Sequence, residues 1–321
     1  MARTFGLSYG LRGGWWAADG DLESSLILAA GGTVLGWLSS RQPASALGFL
    51  AWGFTWPDYL LTALALFWYA RGVARIPRQR RPSRARRACF VCGVLLLFAV
   101  LQTGFLYFAE HMFFLHRVQH LALHHLAPFL IALAWPGEAL LIGMPPWLSR
   151  PVRSVIGARP VRAVFHAVQQ PVVASVLFVG LVFLWVWPPV HLQAMLDNQL
   201  FAVMDWSMVL DGLLFFCLLF DPRPVSAQGL TLAARIVLAL SVQIPQIFLG
   251  ALLLVAGRDL YPWYSLCGRA YAGIGPVADQ QLGGLLILFG GGMMSAVAAL
   301  VLFHRLWQAE EASVALPAAG L

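Results

Sequence analysis

Lysine is missing altogether from this 321-residue sequence. All 21 basic residues are arginine, eight of them between Arg71 and Arg87 and four between Arg150 and Arg162. Charge of either sign is scarce, at 11% of residues, where a soluble domain carries about 25%. A chain this poor in charge does not make a water-facing surface, which excludes an ordinary soluble domain. The net charge of +7 would suit nucleic acid, but the clustering of 12 of the 21 arginines in two segments between apolar runs does not. Arginine clusters between hydrophobic stretches are the signature of loops kept on the inner side of a membrane, with anionic lipid as their weak partner. Cysteine is limited to Cys89, Cys92, Cys217 and Cys267, too few and too scattered for a disulfide framework. Cys89 and Cys92 have the spacing of a metal or redox pair, yet they open a helix at the arginine-rich end and are expected to be buried structural residues. The first apolar run follows Asp19, Asp21 and Glu23 rather than a basic segment, so no cleavable signal peptide is expected. A phosphate loop, a nucleophile elbow and a zinc-protease signature are also lacking, and no enzymatic activity is expected.

Apolar residues make up 60% of the chain, with a mean hydropathy of +0.75. They come in blocks of helix length, which argues against a barrel. The pattern predicts an all-α polytopic transmembrane bundle. Its helices cover about 58–72, 88–106, 110–135, 166–187, 200–220, 232–256 and 281–305, with a Gly-rich segment near 24–38 as the candidate for an eighth span. Seven or eight spans of roughly 20 residues each cross ~30 Å of hydrocarbon. Residues 1–56 then form an N-terminal segment, 57–307 the membrane domain and 308–321 a tail. If 71–87 is cytoplasmic, parity puts 137–165, 221–232 and the C-terminus on the same side, where Arg223, Arg235 and Arg305 agree with it. Trp185, Trp187, Tyr261, Trp263 and Tyr264 fall at the outer ends, as an aromatic belt would.

Ionisable groups in a bilayer cost ~2.5–3.5 kcal/mol each on insertion scales, so each needs a reason. Five of the eight histidines lie between His111 and His125. His116, His120 and His124 follow at i, i+4 and i+8, one stripe on a helix, and such a pair can put two imidazoles on one metal ion. A lone intramembrane histidine is more often a helix–helix hydrogen-bonding residue; three on one stripe favour a metal. His111 sits nearer the outer surface, and His125 is expected to pack. The helix from about 200 adds Met204, Asp205, Met208 and Asp211, and the last helix opens with Asp279, which is also suited to capping. Imidazole with thioether favours Cu(I). A bis-histidine haem is disfavoured, because His166, His191 and His304 lie in loops or at the cytoplasmic end.

The stretch His116-Arg117-Val118-Gln119-His120, continuing to Ala127-Pro128, resembles the His-Met-x-Gln-His…Ala-Pro-Pro segment of CtaG-type cytochrome c oxidase assembly factors. Tyr69 to Gly72, Trp185-x-Trp187-Pro188, Ser207 to Phe215 and Asp279 to Leu285 continue the likeness, which spans about residues 57–307. The resemblance implies an integral protein of the bacterial inner membrane that matures haem–copper oxidases, supplying copper from a site near the periplasmic face. An oxidase subunit or a periplasmic copper chaperone would be its partner. By resemblance, His116, His120 and Asp279 are the site residues. Arg117 replaces the family's methionine, Met204-Asp205 stands where Glu-His is common, and Phe201 stands where another histidine occurs; His111, His124 and His191 could compensate. Two other classes stay open: a proton-coupled or metal transporter using Asp205, Asp211 and the histidines as its path, and a metal-free scaffold for oxidase assembly.

Overall fold

The computed structural model describes residues 56–318, apart from 224 and 227. The possible span near 24–38 lies outside them. Helices fill the described residues, with a single isolated bridge between Val225 and Thr231. α1 (Trp56–Arg75), α2 (Arg84–Gln102), α3 (Phe105–His111) and α4 (Phe113–His120) come first. A π-helical turn, Leu121–Leu126, joins α4 to α5 (Ala127–Ala134). The chain continues through α6 (Gly137–Gly143), α7 (Pro146–Gly157), α8 (Arg159–Val168), α9 (Pro171–Val186), α10 (Pro188–Leu196) and α11 (Asn198–Leu219). α12 (Leu232–Ser241), α13 (Gln243–Val255), α14 (Trp263–Leu266), α15 (Pro276–Leu285) and, after a second π-helical turn at Leu286–Gly290, α16 (Gly291–Ala318) complete it.

Among the described residues, four helical stretches are long and apolar enough to cross a membrane: Arg84–Gln102, Asn198–Leu219, Leu232–Val255 and Pro276–Glu311. The number is six if each of two bent pairs, Phe113–Ala134 with Gly137–Gly143 and Arg159–Val168 with Pro171–Val186, is one span. The expectation of seven or eight exceeds that number. α1 has the length, 20 residues, but Asp58, Arg71 and Arg75 make it more polar than the rest.

The run predicted as one helix over 110–135 is broken. Met112 is extended (φ −143°, ψ 126°) and separates α3 from α4. The break is held from outside: both carboxylate oxygens of Asp279 accept from the backbone N–H groups of Phe113 and Phe114, at 2.9 and 2.8 Å. A helix start carries unpaired N–H donors and a partial positive charge, and a carboxylate answers both. Asp279 therefore caps a neighbouring helix rather than its own, and Arg269 pairs with it in turn.

α11 passes through the centre of the bundle. Gly212 lies against the backbone carbonyl of His124, closer than any Cβ could approach, so α11 reaches the π turn with no side chain between them. One core cluster joins Met204, Met208, Tyr261 and Tyr264. A second joins Phe178, Phe215, Phe216 and Phe220.

Candidate metal centre

The side chains of α4 turn inward. His116 and His120 are buried, with their Nε2 atoms 3.0 Å apart. The i, i+4 spacing brings them together as expected. His124 does not continue the stripe. The π turn between Leu121 and Leu126 adds a residue to the winding, which rotates every later side chain away from the α4 ridge. His124 stacks on Phe178 (4.1 Å) and its Nε2 lies 3.0 Å from Asp211 Oδ2, a separate buried pair. His125 is buried and packs as expected, its ring edge to face with His124 at 4.7 Å and with Phe178 at 5.1 Å.

His111 stands beyond the break at Met112. It is half-buried, stacked on Tyr107, and its Nδ1–H donates to the Tyr107 carbonyl at 2.7 Å. Asp205 faces the histidine pair from α11: its Oδ1 is 3.8 Å from His120 Nε2 and has no hydrogen-bond partner, while Gln119 donates to Oδ2 at 3.4 Å. Met204 and Met208 are buried on the same helix, and Met208 lines a small cavity of about 30 Å³ together with His120 and Arg117. Asp279, engaged by the α4 cap and Arg269, has neither oxygen free. Among the described residues, no three His, Cys, Asp or Glu side chains converge as they stand into a set that could hold a metal. Cys89 is half-buried and Cys92 exposed, and both are free. The expected burial of Cys92 is corrected by the outward orientation of its side of α2.

Two residues placed in loops or in an aromatic belt by sequence belong to this site. His191, on α10, is buried with its ring 4.8 Å from that of His116. Tyr264, on α14, is equally buried, as are Trp185 and Tyr261. They turn inward because the segments around α10 and α14 fold over the end of the bundle. Tyr261 stacks on Phe113 at 4.1 Å and donates to the Val186 carbonyl.

Hydrogen bonds set the protons of His191, Tyr264 and His116, whereas the buried Nδ1 of His120 has no partner. His191 Nδ1 lies 3.0 Å from the Trp185 carbonyl, which can only accept, so Nδ1 carries the hydrogen. Burial, with the Arg117 charge second, pushes the His191 pKa well below the usual histidine range, so its Nε2 is a bare acceptor. Burial pushes the Tyr264 phenol well up, so it stays protonated and donates to His191 Nε2 at 2.9 Å. The Tyr264 oxygen then accepts from His116 Nδ1–H at 3.2 Å. His116 Nε2 is left with its lone pair directed at His120. Metal-binding histidines are oriented this way, with the distal nitrogen donating to a fixed acceptor.

The family comparison follows the geometry. A model of the cytochrome c oxidase caa3 assembly factor matches residues 67–309, most of the chain. The chain belongs to that family. No curated protein and no solved structure matches it. In this caa3 oxidase assembly factor, His191 is reachable from sequence only as one of three histidines outside the main cluster. Tyr264 is one of several aromatic residues near the ends of apolar runs and carried no distinguishing signal.

Proposed function

We propose that this assembly factor holds copper as Cu(I) between His116 and His120 and passes it to a haem–copper cytochrome c oxidase. The supporting observation is the pair of buried Nε2 atoms 3.0 Å apart, one of them with a tautomer set by Tyr264 and His191. Metal–imidazole bonds of about 2.0–2.1 Å put two tetrahedral ligand nitrogens about 3.4 Å apart, so a small ring rotation admits the ion. The unpartnered Asp205 Oδ1, 3.8 Å from His120 Nε2, is the carboxyl oxygen beside the pair, and Met204 and Met208 are soft donors on the same helix. Arg117 flanks the pair, its guanidinium 4.9 Å from the Phe113 ring centre. A permanent cation repels a monovalent ion half as strongly as a divalent one, which favours Cu(I) over Cu(II) or zinc.

The site lies at the end of the bundle opposite the arginine-rich segments, which the inner-positive rule puts at the periplasmic side of a bacterial inner membrane. On that reading the C-terminus is cytoplasmic and α1 is a seventh crossing. An oxidase subunit or a periplasmic chaperone would exchange metal from outside. The purified full-length protein, loaded anaerobically with Cu(I), should retain stoichiometric copper. His116→Ala/His120→Ala should lose it with its helical content unchanged. Full retention by that variant would remove the pair from the site; no copper in either form would favour a metal-free scaffold, and copper flux into sealed vesicles would favour a transporter.

A further inference from the structure

α7 and α8 are the least explained part of the fold. Neither contains a buried residue, yet both are sharply amphipathic. On α7, Trp147, Val155 and Ile156 lie on one half of the circumference, with Ser149, Arg150, Arg153 and Ser154 on the other. On α8, Val161, Val164 and Phe165 oppose Arg159, Arg162 and His166. Trp147 is 74% exposed and Val164 64%. A polar contact ties α8 to the bundle, from the Gln228 amide to His166 Nδ1 at 3.0 Å. It lies on the arginine side of the helix, so the apolar side faces away from that contact.

Direction decides what covers this face. α8 meets α9 at a bend of 70°. Membrane helices tilt by about 20° on average, so with α9 crossing the bilayer, α8 lies close to the membrane plane. A helix lying there with an apolar half and an arginine half matches the acyl–headgroup boundary on both counts.

We infer that α7 and α8 form an interfacial platform, with their apolar faces in the acyl boundary and Arg150, Arg153, Arg159 and Arg162 on anionic phospholipid headgroups. α8 is then not part of the α9 crossing. The platform holds the arginine end of α9 at a fixed depth, and its role is independent of copper.

The test uses the full chain in lipid nanodiscs, with Cys89, Cys92, Cys217 and Cys267 replaced by Ala. Nitroxide labels go at Val155→Cys and Val164→Cys, and at Arg153→Cys and Arg162→Cys. The first two should collide several-fold more with oxygen than with an aqueous nickel chelate, and the second two should show the reverse. Exchanging the four platform arginines for Gln should reduce the immobilised fraction of spin-labelled phosphatidylglycerol, leaving that of phosphatidylcholine unchanged. Equal nickel access on both faces would overturn the proposal, as it would mean that the apolar face awaits a protein partner. Oxygen access on both faces would also overturn it, since α8 would then be part of the span. An undiminished phosphatidylglycerol signal in the Gln variant would overturn the headgroup assignment.

Discussion

A histidine becomes a dependable metal ligand only when its other nitrogen is spoken for. His116 meets this condition through Tyr264, and Tyr264 through His191. Removing the phenol hydroxyl frees the His116 ring to adopt the wrong tautomer without emptying the core. Tyr264→Phe should therefore weaken Cu(I) affinity by roughly 10–100-fold, the range seen when such supporting partners are lost. Competition against a chelator of known affinity measures this, and the melting temperature should move little. A variant that binds copper as the parent does would show that His116 needs no orientation from Tyr264. His124 meets Asp211 through Nε2 and lies on Phe178, but its buried Nδ1 has no partner, so it does not meet the same condition.

Breaks within helices place these side chains more than helices do. The extended Met112, capped by Asp279, starts α4 where His116 can reach α10 and α14. The π turn then sends His124 to α11, and the contact of Gly212 with the His124 carbonyl lets α11 come close enough to meet it. A side chain at Gly212 would drive the two elements apart. Gly212→Val should cost about 1–3 kcal/mol through overpacking, read as a lower melting temperature in detergent. It should also reduce copper retention, because Asp205 moves with α11. An unchanged melting temperature would mean the interface yields without cost.

Across the molecule, charge sorts the ends of the helices. The arginine-rich segments 76–87 and 144–162 lie at one end, and α10 and α14 close the other over the histidines. If each of the two bent segments holds one crossing, six crossings follow residue 84 and would return the chain to its starting side. Single cysteines at Gln79, Ser154 and Glu310, in an otherwise cysteine-free chain, should resist a membrane-impermeant maleimide in intact cells, and one at Gln193 should react. Reaction at Glu310 together with protection at Gln79 would mean an odd number of crossings between them.

Scarce charge together with apolar blocks of helix length was enough to point to a helical membrane protein, because lipid-facing surfaces disfavour charge and a barrel would alternate instead. The His116–His120 pair was equally legible, since four residues make one helical turn. The rest depended on elements far apart in the chain. A π turn shifts phase by one residue and leaves no trace in hydropathy, so the stripe could not be seen to end at His120. Asp279 reads as a cap or a ligand with equal ease until its backbone partners, more than 160 residues away, are known. His191 and Tyr264 look like surface residues because they flank apolar runs. Their burial comes from how two short helices fold over the mouth of the bundle, and local spacing does not encode such long-range contacts.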